Sequence, residues 1–394
     1  MWRKKRHSII TAIFRPIFLL FYLLKYNCKV KATKLPKEGA IILSNHATSL
    51  DPFLVGLKFN KPLYYMASMD LFQHKFVGKL IEWLVAPIPK EKSNKGDIKA
   101  IRNCVKIAKE NGTICIFPEG NRTFSGKLGN VENSIVKMIK LLKKPLIITN
   151  IIGGYGSEPR WSKKSRRGKL EIKIKKFYQY EDIKDMDNEQ LYKLIVNDLT
   201  VDDYNLNINY KGKHKAEYLE RILYICPKCH KLHTIYTKGD YIYCSNCDLK
   251  VKYNENLLLT SNDESFIFSN ISQWYDYQID FIKVKEIKDN ELIYQENIEV
   301  YEPILYDKKQ LIGEGKMSLY NGYFLFSLKE KEIKLSFEDI FAITLLSKKK
   351  MNIYCVDKTY QVFYGKKTNL LKYMHMFYIL KNKKEGVIDG FIGI

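Results

Sequence analysis

The chain has 394 residues, 46% of them apolar, with 66 Lys and Arg against 43 Asp and Glu, a net charge of +23. That is enough for two or three domains with a sizeable core, and the cationic surplus favours a polyanion: nucleic acid, an anionic membrane or phosphorylated substrates. Eight cysteines, four of them in two CxxC pairs, argue for a metal site rather than a secreted disulfide framework, and a reducing, cytoplasmic environment is expected.

Arg3-Lys4-Lys5-Arg6 precede an apolar stretch from Ile9 to Leu24 that Arg15-Pro16 interrupts. No small-residue cleavage site follows, so no signal peptide is expected. A full span needs about 20 apolar residues. This stretch predicts two short helices bent at Arg15-Pro16 and embedded in one leaflet, with flanking Lys and Arg each contributing ~1 kcal/mol among anionic headgroups. A buried core helix is the alternative.

From about Lys29 to Phe177, short apolar runs alternate with helical stretches, which predicts an α/β domain with a mainly parallel sheet. Strands are expected at Ile41–Ser44, Leu63–Ala67, Leu84–Ile88, Thr113–Phe117, Leu146–Ile152 and Leu170–Ile174. Helices are expected at Pro52–Phe59, Asp70–Trp83, Asp97–Glu110 and Val131–Leu142. The first strand empties into Asn45-His46-Ala47-Thr48-Ser49-Leu50-Asp51. Asp51 reads as a helix N-cap with Pro52 at the first helical position. Its carboxylate is close enough in sequence to orient the His46 imidazole as a general base. A strand-end His beside an ordinary capping Asp would look the same.

A second apolar run, Thr113-Ile114-Cys115-Ile116, leads into Phe117-Pro118-Glu119-Gly120-Asn121-Arg122-Thr123. Together the two elements resemble the glycerolipid acyltransferase family, whose signatures are NHxxxxD and FPEGxR[ST]. Both are complete in this chain. The resemblance covers roughly the first half of the sequence. It implies acyl transfer to the free hydroxyl of 1-acyl-glycerol-3-phosphate from acyl-CoA or acyl-carrier protein, giving phosphatidate, with His46 and Asp51 catalytic. On the same resemblance Arg122 grips the acceptor phosphate with its fork of donors. Glu119 accepts from a glycerol hydroxyl or holds Arg122, and Gly120 lets the backbone turn sharply. Pro87-Ile88-Pro89-Lys90 matches a further block that usually carries Arg. Lys90 would attract phosphate with less geometric definition, or is simply solvated. The N-terminal helical pair commonly embeds in the bilayer in this family, which implies the cytoplasmic face of the cell membrane, monotopic or peripheral.

The loop Arg160–Lys169, with Trp161 among Lys and Arg, suits a membrane interface, RNA or plain solvation. An acidic helix-like stretch, Asp182–Asp203, closes the domain. Cys226-Pro227-Lys228-Cys229 and Cys244-Ser245-Asn246-Cys247 flank a hairpin over Thr234–Tyr243, and four thiolates at this spacing resemble a zinc ribbon holding a structural Zn2+. His230 and His233 are spare ligand types. Beyond Asn254 the pattern alternates, Asn321-Gly322 marks a hairpin turn, and Leu370–Leu380 is helical. Strands closed by one terminal helix resemble a pleckstrin-homology-like module, on pattern alone. Lys348-Lys349-Lys350 would meet lipid headgroups or solvent. The expected domains are residues 1–28, 29–205, 206–253 and 254–394.

The expected partners are therefore an anionic membrane surface, a lysophospholipid acceptor and an acyl donor. Glycerol-3-phosphate or another lysolipid is the alternative acceptor. A non-catalytic adaptor for membrane or nucleic acid is the alternative of another class. The intact His46, Asp51, Glu119 and Arg122 weigh against it, and nucleic acid is disfavoured as a partner.

Overall fold

Alternating side chains on short apolar strands build a sheet with a helical layer on each face. The computed structural model describes residues 2–68, 75–90, 98–304, 309–346, 348–365, 368–387 and 390–391. In chain order the first domain contains α1 (Lys5–Tyr26), β1 (Ile41–Ser44), α2 (Asp51–Lys58), β2 (Leu63–Ser68), α3 (Lys75–Val85) and β3 (Ile88–Lys90). It continues with α4 (Ile98–Lys109), β4 (Thr113–Ile116), α5 (Ser134–Leu142), β5 (Leu146–Ile152), α6 (Gly154–Ser157), β6 (Glu171–Tyr178), α7 (Tyr180–Ile183) and α8 (Asn188–Leu199). The strands lie in the order β3-β2-β4-β1-β5-β6, all parallel except β6, which runs antiparallel to β5.

Successive residues of β1 face opposite layers. Ile41 and Leu43 pack with Cys104 and Ile107 of α4, Ile135 and Ile139 of α5, and Leu191 and Ile195 of α8. Ile42 packs on the other face with Tyr22 and Tyr26 of α1 and with Leu54, Val55 and Leu57 of α2. Each side chain fully withdrawn from water contributes about 1.5–3 kcal/mol. The burial of β1 on both faces fixes the strand end from which His46 projects.

Several expectations shift. The apolar run Leu84–Ile88 does not form a strand: α3 continues to Val85, Ala86 takes φ +43°, and the strand starts at Ile88. The helix starts predicted at Asp70 and Asp97 lie outside the described residues. The acidic stretch is helical in two pieces, the end of α7 and α8, followed by a short turn at Asp203–Asn205.

The N-terminal stretch forms one helix, not two bent at Arg15-Pro16. Pro16 forfeits a donor, but Arg15 has a separate task. Its guanidinium donates to the carbonyls of Leu57 (2.6 Å) and Phe59 (2.9 Å), at the end of α2 where carbonyls lack helical partners. Ile9, Ile13, Ile17, Leu20 and Leu24 form an exposed apolar stripe along α1, with Phe53 of α2 and Trp83 of α3 exposed as well.

The second module is a four-stranded antiparallel sheet of β7 (Ile235–Lys238), β8 (Tyr241–Cys244), β9 (Lys250–Tyr253) and β10 (Leu259–Thr260). It extends past the expected boundary at residue 253, because β10 pairs with β9. The third comprises α9 (Ile271–Val284), β11 (Leu292–Glu302), β12 (Gln310–Tyr320), β13 (Tyr323–Leu328), β14 (Glu332–Ser336), β15 (Ile340–Leu345), β16 (Lys350–Cys355), β17 (Thr359–Phe363) and α10 (Leu371–Lys384). Its sheet has the order β14-β13-β12-β11-β17-β16-β15 and is antiparallel throughout. Gly322, at φ +102°, makes the expected turn between β12 and β13. Helix α9 was not anticipated.

The basic loop Arg160–Lys169 packs between modules through Trp161 and Arg166. Trp161 is buried and donates to the Tyr155 hydroxyl. Arg166 is buried too, donating to the Lys215 carbonyl at 2.6 Å and to the Tyr253 hydroxyl at 3.3 Å. The tip of the loop, Lys163 to Ser165, is exposed.

Candidate active site

His46 leaves β1 where its neighbours β4 and β5 also end. Asn45 fixes that exit: its amide donates to the Ile151 carbonyl and accepts from the Ile151 N–H, tying the end of β1 to β5. Asp51 stands in the first turn of α2, whose cap position is Leu50, so Asp51 is not the N-cap its sequence suggests. Its buried carboxylate turns back instead. It accepts from His46 Nδ1 at 2.8 Å, the Ala47 N–H at 2.6 Å, the Thr48 N–H at 2.9 Å and the Thr48 hydroxyl at 2.5 Å. An ionised carboxylate with this donor set holds imidazole as the Nδ1–H tautomer and leaves Nε2 with a lone pair. The ring stacks on Phe117, with centroids 4.4 Å apart. Such a pair can accept a proton at Nε2 and stabilise the resulting imidazolium.

The second motif is locked to the first. Thr123 N–H donates to the His46 carbonyl at 2.9 Å. Glu119 is buried, with one oxygen accepting from His46 N–H at 2.6 Å and the other from Gly129 N–H at 2.7 Å. Burial pushes its carboxyl up to about 8, with the two backbone donors pulling the other way. Glu119 thereby joins the two turns, and the carboxylate that holds Arg122 is Glu158 rather than Glu119. Gly120 takes φ +67°, in the left-handed region that favours glycine.

Arg122 is held by Glu158, Nη1 to Oε1 at 3.3 Å. Glu158 also accepts from the Ser49 hydroxyl (2.5 Å) and N–H (3.2 Å) and from the Tyr26 hydroxyl (3.0 Å). Burial opposes its charge, but the Ser49 donors, Arg122 and Tyr26 outweigh it and hold the carboxyl below its usual range. Sequence reading missed Glu158. The available signal was its place just beyond β5 and the Gly153-Gly154 turn, at the strand-end edge where His46 and Arg122 also gather. A guanidinium carries five donors, so one contact at 3.3 Å does not saturate Arg122. Lys90 lies in β3 and pairs with Glu132 at 2.9 Å.

Backbone donors around these turns are mostly engaged. The amides of His46, Ala47, Thr48, Gly120 and Thr123 all bond to protein acceptors, so none can meet an oxyanion without giving up its partner. A cavity beside His46, lined by Asn45, Glu119, Tyr155 and Asp203, has a volume of about 10 Å3. It has room for a water and none for an acyl chain.

The four thiols of Cys226, Cys229, Cys244 and Cys247 converge, their sulfurs all within 4.8 Å of one another. Cys226 and Cys247 are 3.6 Å apart, and Cys229 and Cys244 3.7 Å. A tetrahedron of sulfurs about 2.3 Å from a central ion has edges of about 3.8 Å, so the cluster fits a four-thiolate metal site. The spare histidines are engaged elsewhere, His230 with the Tyr277 hydroxyl and His233 with Lys372.

Residues 27–152 match the family model described as Acyltransferase. A probable 1-acyl-sn-glycerol-3-phosphate acyltransferase of Mycoplasma pneumoniae is 23% identical over 178 residues, which cover 43% of this chain and 65% of that protein. The 1-acyl-sn-glycerol-3-phosphate acyltransferase of Bacillus subtilis is 28% identical over 111 residues, 28% of this chain and 54% of that protein. The chain therefore spans less than two thirds of the length of either relative. The crystal structure of the 1-acyl-sn-glycerophosphate acyltransferase of Thermotoga maritima aligns at 21% identity and a TM-score of 0.40, over 48% of this chain and 75% of that one.

Proposed function

We propose, on the match of residues 27–152 to the Acyltransferase family model and the similarity to 1-acyl-sn-glycerol-3-phosphate acyltransferases, that the protein is a glycerolipid acyltransferase that transfers an acyl chain from a thioester donor to the free hydroxyl of 1-acyl-glycerol-3-phosphate, forming phosphatidate. The observation that carries this reading is the contact of 2.8 Å between His46 Nδ1 and the buried Asp51 carboxylate at the end of β1.

The acceptor hydroxyl gives its proton to His46 Nε2 while its oxygen attacks the thioester carbonyl. Asp51 stabilises the imidazolium. A C–O bond forms, the C–S bond breaks, and the thiolate leaves with the proton returned by His46. Arg122 takes the acceptor phosphate, and Lys90, paired with Glu132, adds a positive charge. The donor is acyl-CoA or acyl-carrier protein.

The exposed apolar stripe of α1, with Phe53 and Trp83 nearby and Arg and Lys at the helix start, supports docking to an anionic membrane surface at the cytoplasmic face. A cavity no larger than a water fits this arrangement, since acyl chains would stay in lipid while the headgroup reaches His46. The four-thiolate cluster would hold a structural zinc ion through Cys226, Cys229, Cys244 and Cys247, supplying folding energy to the ribbon and no step of the reaction. The seven-strand antiparallel sheet with α10 supports the pleckstrin-homology-like reading of the C-terminal module.

Assaying the purified protein with a panel of lysolipids and acyl donors tests the proposal. Transfer to lysophosphatidate supports it. Transfer only to glycerol-3-phosphate or to phosphate-free acceptors would replace the substrate, and no transfer to any acceptor would overturn the activity.

A further inference from the structure

Arg160 joins the C-terminal module to the Arg122 turn. Arg160 is buried and donates from Nη1 to the Arg122 carbonyl at 2.9 Å and from Nη2 to the Leu345 carbonyl at 2.5 Å. It lies on the Phe124 ring, 3.9 Å from the centroid. Leu345 ends β15, so Arg160 fastens the end of that strand to the backbone of the second motif. Two residues further along the same loop, the Ser162 carbonyl accepts from Lys348 Nζ. Lys348, which sequence alone leaves to lipid or solvent, is therefore turned inward onto the loop that holds Arg122.

The charge around Lys348 is lopsided. Arg221, Arg122 and Lys163 bear on it, with Glu158 opposing them. Glu158 is already engaged by Ser49, Tyr26 and Arg122. Burial first, then these cations, press the Lys348 ammonium down to about 8. Arg221 is directed elsewhere, donating to the Trp161 carbonyl and lying over the Tyr218 ring. Lys348 is half-buried, and its ammonium faces the Ser162 carbonyl rather than a carboxylate. Here positive charge is concentrated beside the residue read as the phosphate holder. An ammonium has three donors, and the Ser162 carbonyl takes one.

We propose that Lys348, carried by the C-terminal module, is a second ligand for the acceptor's terminal phosphate beside Arg122, so that two domains jointly select a phosphomonoester headgroup. The proposal rests on the reading of Arg122 given above. A phosphomonoester carries close to two negative charges at neutral pH. A guanidinium fork and an ammonium point charge together neutralise it. A phosphodiester headgroup carries one charge and has less need of the second cation.

The test uses the full chain and a probe without a reacting hydroxyl, so that binding is read apart from catalysis. Dodecyl phosphate is titrated calorimetrically into wild type, Lys348→Gln, Lys348→Arg and Arg122→Lys, with dodecylphosphocholine as the diester control. Lys348→Gln is expected to weaken dodecyl phosphate about tenfold and leave dodecylphosphocholine unchanged, with Lys348→Arg restoring binding. Unchanged binding in Lys348→Gln while Arg122→Lys is weakened would overturn the role of Lys348 and leave the Arg122 reading standing. Unchanged binding in both would overturn both. Equal loss in Lys348→Gln and Lys348→Arg would overturn the proposal by assigning Lys348 to holding Ser162.

Discussion

Glu119 accepts the backbone N–H of His46 at 2.6 Å, so the second sequence motif positions the first. The residues are 73 apart in sequence, and the contact is made by a carboxylate that also binds the Gly129 amide. Glu119→Gln replaces one acceptor oxygen with a donor that must face a backbone N–H. A buried donor left without a partner costs about 1–3 kcal/mol. The variant is expected to unfold at lower denaturant and to lose kcat while the acceptor KM stays put, because the His46 turn shifts and Arg122, the proposed phosphate ligand, does not. A variant as stable as wild type with a raised acceptor KM would mean that Glu119 faces the substrate after all.

The thiolate cluster gives a prediction independent of catalysis. One zinc per chain should co-purify, and Cys226→Ser with Cys229→Ser should release it. Hydrogen exchange should then accelerate most within residues 222–253, since a metal-dependent knuckle draws its folding energy from the ion. Protein free of zinc by elemental analysis, or metal that persists through both substitutions, would remove zinc from the account.

How much of this was legible depended on whether the signal was local. β1, β4 and β5 stand where their apolar runs put them, as do the two CxxC pairs and the Asn321-Gly322 turn. His46 and Asp51 are five residues apart in one turn, and their contact follows from that turn. Glu158 is different: it meets Ser49, 109 residues away, and Arg122, 36 residues away. Only the sheet brings these together. Arg15 misled for a related reason, because a charge in an apolar stretch reads as a break until the carbonyls of Leu57 and Phe59 are seen to need it. The run Leu84–Ile88 is ambiguous by periodicity alone, and the left-handed Ala86 that divides helix from strand leaves no mark in the sequence.

The stripe on α1 predicts how the protein meets lipid. Ile17 and Leu20 are exposed, so changing both to Asp should spare the fold. Each buries about 1.5–3 kcal/mol of apolar surface if it enters the bilayer. The double variant should fail to sediment with phosphatidylglycerol vesicles under conditions where wild type does. Sedimentation equal to wild type would place the lipid-facing surface elsewhere.

The most direct measurement is the acyl-transfer rate of purified His46→Ala with lysophosphatidate and acyl donor, alongside its unfolding curve. His46 is partly exposed and its ring contacts Phe117 and Asp51, so the fold should survive its truncation. Loss of a general base should lower turnover about 100- to 10,000-fold. Near-normal turnover in a folded His46→Ala protein would contradict the mechanism.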